Sequence, residues 1–210
     1  MSVRYKIVLM ALLLSALVGM ILSWWIERTP RLSPEGMCLA LNTYWEASAA
    51  REPLDGQRMV AYVTMMRAKD NKAQWGGATI CNVVYHKRFK RKGGVVPEFS
   101  WTIKRGTHKP PAHKALWVQA KAAAEDVREG KFIPEGDLQL ARFYLRPAHS
   151  VRRNVCWFKK NLVFVDIVGK HHFYRLPKNV AEKAILRQSK PPECQPLKRK
   201  KNKKKVGAKR

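Results

Sequence analysis

The sequence predicts an α+β domain, mainly helical with a small antiparallel sheet, preceded by one N-terminal transmembrane helix. Three observations carry this. Helix signals fill the first half of the exported part, strand signals gather after Leu138, and a long uncharged apolar run precedes both. Helices first and strands last indicate α+β rather than alternating βα units.

The apolar run, Ile7 to Ile26, contains no charged residue. Its length spans a bilayer core as a helix, and Trp24 and Trp25 suit the far interface. Arg4 and Lys6 before it predict an N-terminus inside and the body outside. Ser-Trp-Trp-Ile-Glu follows instead of a small-residue cleavage site, so an uncleaved signal anchor is expected. Ala11, Ser15, Ala16, Gly19 and Ser23 form a run of small residues within it. They suit either helix association or a weakly apolar anchor able to leave the membrane. The domain boundaries follow: residues 1–31 as anchor, 32–190 as the folded domain, and 191–210 as a disordered polybasic tail.

Charge is the other extreme feature. The 210 residues carry a formal +27. Nine basic residues from Leu197 to Arg210 and a net three in the first thirty-one leave +15 on the body. A body this basic points to a polyanionic partner: nucleic acid, anionic membrane surface or acidic wall polymer. At 46% apolar with seven tryptophans, the chain is not disordered overall.

Each element has its own warrant. Ser33-Pro34-Glu35 reads as a helix start, with a capping hydroxyl, a proline in the first turn and an acid at the positive dipole end. Leu41, Tyr44, Trp45 and Ser48 or Ala49 continue it at helical spacing. Asp55, as N-cap, opens a second helix that buries Met59, Val60, Val63 and Met66. Thr79 to Tyr85 fits a short helix or a strand, and His86 to Gly94 reads as a basic loop. Pro111 to Glu129, closed by Gly130, is the clearest helix. Leu138 to Tyr144 alternates like a strand. Val155 to Phe158 and Leu162 to Val168 suggest a hairpin turning at Lys159-Lys160-Asn161, and His172 to Arg175 adds a further strand. A short helix, Val180 to Leu186, precedes the tail.

Cys38, Cys81, Cys156 and Cys194 all follow the apolar run, so export permits disulfides, with three possible pairings. No Cys-x-x-Cys occurs and the adjacent His171 and His172 lack an acidic companion, so no metal or other cofactor is expected. Among the carboxylates Glu46 stands out, set beside Tyr44, Trp45, Ala47 and Ala49. An apolar setting of that kind keeps a carboxyl protonated near neutral pH.

Several segments taken in order resemble the SleB-type cell wall hydrolases. They are Cys38-Leu39-Ala40-Leu41-Asn42 with Tyr44-x-Glu46-Ala47, Glu52-Pro53-Leu54-x-Gly56-Gln57, Cys81-Asn82-Val83-Val84-Tyr85, Phe99-Ser100-Trp101, and Gly169-Lys170-His171-His172-Phe173-Tyr174. The resemblance covers Cys38 to Arg175. It implies a lysozyme-like domain in which Glu46 is the catalytic general acid. It also implies that Gln57, Tyr85, Ser100, Trp101, Tyr144 and His171 bind substrate. Trp101 would stack on a sugar ring or belong to the core, and His171 would be a site-lining donor. Two extra residues separate Glu46 from Glu52-Pro53 relative to the family pattern, which leaves Glu52 as the alternative acid. Pro97 stands where the family has a cysteine, and Arg142-Phe143-Tyr144-Leu145 replaces its Thr-His-Tyr-His.

The implied activity is peptidoglycan cleavage by a lytic transglycosylase, with glycan strands as substrate and anionic envelope polymers as further partners. Its place would be the outer face of the cytoplasmic membrane, as in an anchored phage endolysin. The competing reading is a non-enzymatic basic membrane protein that binds nucleic acid or anionic lipid. The inferred topology holds the body away from cytoplasmic DNA, so no specific nucleic acid is expected.

Overall fold

A computed structural model describes Met10 and residues 14–20, 32–89, 94–104, 106–188 and 194. The chain forms two compact units, Met1–Pro34 and Glu35–Arg210. In the first, residues 14–20 are helical and exposed. The predicted span Ile7 to Ile26 otherwise lies outside the described residues. Among the described residues no helix is long and apolar enough to cross a membrane. The polybasic tail, Cys194 excepted, also lies outside them.

The second unit is α+β. Its central element is helix α1, Pro34–Glu46, buried at every position from Cys38 to Tyr44. A helix enclosed on all sides must satisfy its polar side chains internally. Asn42 does so by donating to Thr64 Oγ1 at 3.0 Å and accepting from Trp101 Nε1 at 3.0 Å. Thr43 Oγ1 donates to its own helix at Leu39 O, 2.9 Å away. Glu35, in the first turn, accepts the Ile80 and Cys81 N–H groups at 2.5 and 3.3 Å, capping helix α3, Ile80–Val84. The Cys38–Cys81 disulfide fastens the same two helices covalently, and Cys156–Cys194 is the second bridge. The three pairings open in the sequence thereby reduce to one.

Helix α2, Leu54–Lys69, starts two residues earlier than expected: Pro53 is the cap, and Asp55 sits in the first turn. There Asp55 accepts from Arg58 at 3.0 Å, and Arg58 also grips Asp126 at 2.6 and 2.9 Å. Asp126 belongs to α4, Lys114–Arg128, the predicted third helix with its first turn trimmed. The basic loop is partly a hairpin, β1 (Lys87–Phe89) against β2 (Val95–Pro97).

The second sheet has the antiparallel order β3-β5-β4, from β3 (Phe143–Leu145), β4 (Val163–Val168) and β5 (His171–Arg175). The expected strand from Leu138 begins inside a 3-10 turn, Gly136–Leu140, with β3 starting only at Phe143. Gly136 at φ +53° starts that turn, and Leu138 packs against the buried cluster holding Met59 and Phe173. The largest correction concerns Val155 to Phe158. These residues lie in helix α5, Arg152–Asn161, not in a hairpin strand. Val155, Phe158 and Leu162 recur at helical spacing and pack on Leu145 and Tyr174. Lys159 and Lys160 suit a helix C-terminus, where Asn161 Nδ2 donates to Trp157 O at 2.7 Å. A short apolar run cannot distinguish these readings by period alone. The final helix, α6, spans Val180–Gln188.

Candidate active site

Two carboxyls compete for the role of acid, and their surroundings separate them. Glu52 follows the 3-10 turn Ser48–Ala50, which absorbs the extra residues after α1. Its side chain is fully buried, and Oε2 accepts the Lys170 N–H at 2.8 Å. Gly169, at φ +63° in the β4–β5 turn, passes so close that an added Cβ would collide with Glu52 Oε2. His171 Nδ1 lies 3.4 Å from Glu52 Oε1, outside hydrogen-bond geometry. Burial, followed by Arg146, His172 and Lys170, pushes the His171 pKa down to about 4, so this is not an ion pair at neutral pH. Glu52 anchors a turn and has no route to a polymer.

Glu46 ends α1 at the mouth of that helix's buried run, and it lines a cleft of about 580 Å³. Arg67 reaches the cleft from α2, and Phe143 and Tyr144 from β3. Arg88, residues 96–100 and Ile103 come from the β1–β2 hairpin and the turn after it. Asn154, Trp157 and Phe158 come from α5. Burial pushes the Glu46 pKa up to about 7; Arg67 pulls it down and Glu98 pushes it further up. The apolar shielding expected from Tyr44 and Trp45 comes from elsewhere. Adjacent residues on a helix point in different directions. Trp45 turns toward Trp101 and donates to Thr107 O at 3.0 Å, and Tyr44 packs edge-on to Trp117.

Glu98 is a second carboxyl in the same cleft, but it is held. Arg67 Nη1 donates to Oε1 at 2.9 Å, and Arg88 Nη2 lies 2.7 Å from Oε2 as an ion pair outside hydrogen-bond geometry. Arg67 is itself fixed by its Nε, which donates to Arg142 O at 2.6 Å. The Glu98 charge therefore offsets Arg67 instead of standing free as a base. Tyr144 completes the electrostatics. Burial and then the Glu46 charge hold its pKa well above the ordinary value, against Arg67 and Asn42, so its hydroxyl remains a neutral donor.

The residues proposed from the sequence are thus brought together only in part. Glu46, Ser100 and Tyr144 share the cleft. His171 lies behind Tyr144, ring centroids 5.4 Å apart and edge-on, so it supports the site from within instead of lining it. Gln57 is buried; its Nε2 donates to Glu52 O at 2.8 Å and its Oε1 accepts from Ser48 Oγ at 2.6 Å. It staples the loop between α1 and α2. Trp101, 3% exposed and bonded to Asn42, belongs to the core and presents no face for a sugar. Tyr85 lines a different cleft of about 640 Å³ with His86, Lys87 and His108, its ring stacked on His108 at 5.3 Å.

Sequence reasoning missed Arg67, Glu98, Asn154 and Trp157. Glu98 adjoins Phe99-Ser100-Trp101 and was within reach; the α5 residues were hidden by the strand assignment. Among the described residues no three His, Cys, Asp or Glu side chains gather as a metal site.

The geometry accounts for one acid in one cleft, and comparison with known proteins gives the broader class. No curated protein and no solved structure matches the chain. A family model described as Cell Wall Hydrolase matches residues 51–174, more than half of the chain. Glu52 falls inside the matched residues and Glu46 just ahead of them, so the choice between the two rests on burial and the cleft. The hairpin, the whole of α2 and the sheet as far as Tyr174 lie within the match, and on that extent the chain belongs to the cell wall hydrolase family, with peptidoglycan as its substrate.

Proposed function

We propose that the chain is a peptidoglycan lytic transglycosylase of lysozyme-like build, with Glu46 as its single catalytic acid. The observation that carries this is a cleft carboxyl whose pKa is raised to about 7 beside a second carboxyl already engaged by two arginines. Protonated Glu46 gives its proton to the glycosidic oxygen between MurNAc and GlcNAc as the C1–O bond breaks. The resulting carboxylate then takes the proton of the sugar's own C6 hydroxyl as that oxygen closes on C1. The products are a 1,6-anhydro sugar and a free hydroxyl end, and no water is consumed. A two-carboxylate hydrolase needs a second acid free to activate water or attack carbon. Digestion of purified sacculi by the full chain is expected to give muropeptides that borohydride cannot reduce. Reducible MurNAc ends as the sole products would replace this reading with hydrolysis.

The pH profile is a second check. Glu46 must arrive protonated, so activity is expected to hold below about 7 and to fall as pH rises through that value. Glu98→Gln removes a negative charge that favours the protonated acid. The falling limb should therefore move to lower pH. A limb that stays in place would show that Glu98 does not act on Glu46.

The proposed location is the outer face of the cytoplasmic membrane, with Ile7 to Ile26 as an uncleaved anchor. That topology would suit host lysis by a phage enzyme or wall remodelling by a cell. The support is the uncharged run with its basic flank, and the basic body would favour retention on anionic envelope polymers. Mass spectrometry of the exported protein is expected to find the residues before Arg31 intact. A mature chain starting near Glu27 would identify a cleaved signal peptide.

A further inference from the structure

We propose that the exposed face of α5, Asn154 with Trp157, is a glycan subsite that holds a pyranose ring next to the acid. This rests on the reading of the Glu46 cleft as a glycan-cleaving site. Asn154 and Trp157 are three residues apart on a helix, so they share one face, and both line the cleft that Glu46 lines. Trp157 is half exposed, at 50%, on a helix whose other apolar residues are turned inward. A large indole left in water beside a cleft is the kind of exposed apolar surface that marks a ligand or partner contact.

The ring is also held in place. Phe158 packs edge-on beneath it, with centroids 5.5 Å apart, and is itself edge-on to Tyr174 at 5.1 Å in the sheet. Asn161 bonds the Trp157 carbonyl, and Cys156, the preceding residue, is bridged to Cys194. A preorganised aromatic plane loses little entropy on binding.

The chemistry selects the ligand class. The flat apolar face of a β-linked N-acetylhexosamine, with its axial C–H groups, matches an indole plane. The neighbouring amide of Asn154 can both donate to and accept from a hydroxyl or acetamido group. Neither Asn154 nor Trp157 carries a charge, so this pair of side chains reads the uncharged sugar ring and not the acidic stem peptide. Trp101, which the sequence offered as a sugar platform, is buried; Trp75 and Trp157 both line the cleft, and of these Trp157 is the exposed one.

The test uses the full chain in detergent carrying Glu46→Gln, so that binding is read without turnover. The probe is peptide-free glycan strands, titrated while tryptophan emission is followed. Adding Trp157→Ala is expected to weaken binding about tenfold and to remove most of the emission change, while Trp157→Tyr keeps most of the affinity. Unchanged affinity in Trp157→Ala would overturn the subsite. Equal loss in the Ala and Tyr variants would also overturn it, because a stacking platform survives as a phenol ring. The two readings fail separately: cleavage of the strands by the Glu46→Gln protein, followed by chromatography of the same mixture, would overturn the acid, whereas the Trp157 comparison, read as the initial emission change, overturns only the subsite.

Discussion

Glu46→Gln is expected to lower peptidoglycan cleavage by about 10²–10⁴-fold, the usual contribution of a positioned general acid. Glutamine keeps the size and hydrogen bonding of the side chain but has no proton to give. Folding and glycan binding should therefore be nearly unchanged, which circular dichroism and a pull-down on sacculi would establish. Glu52→Gln should behave in the opposite way. It disturbs the carboxylate that accepts the Lys170 N–H, so it should lower thermal stability while the folded fraction keeps its pH profile. Full activity in Glu46→Gln, or loss of the pH limb in Glu52→Gln, would move the acid to Glu52.

Removing the Cys38–Cys81 bridge by a double serine substitution should cost about 4 kcal/mol, the chain-entropy value for a separation of 43 residues. For a chain of this size that corresponds to a drop of about 8–16 °C in Tm. The effect should reach the site as well as the fold. The bridge holds the start of α1 to α3, and the same helix carries Glu46 at its other end. A variant that melts at the same temperature would show that Glu35 capping α3 and the buried face of α1 already fix this pair of helices.

The candidate acid was legible because its context survives in a short stretch of sequence, and its rival was legible for the same reason. What separated them was not. Glu46 and Glu52 are six residues apart, yet one opens on a cleft and the other is sealed beneath Gly169 and Lys170, which are more than a hundred residues further along. Local pattern reports which residues are near in sequence. Desolvation depends on what packs there from afar. The apolar groups that line the cleft with Glu46 include Trp75, Phe143, Tyr144 and Phe158, none of them its sequence neighbours.

The sequence alone determined the α+β class and the place of most helices, though not the full order of the elements. The start of α1, the Gly-closed end of α4 and the last two strands follow from cap chemistry and from periods of 3.6 and 2, which are local properties. It also determined the basic surface and the cysteine set, but not how the cysteines pair. Only the tertiary structure decided three things. It made Arg152–Asn161 a helix, since a short apolar run takes its form from the Leu145–Tyr174 surface it covers. It buried Trp101 by giving its indole N–H to Asn42, and it left Trp157 at the cleft. It gathered Glu46, Arg67, Glu98 and Tyr144 into one electrostatic group, because charge and burial act across space and a linear sequence shows neither distance.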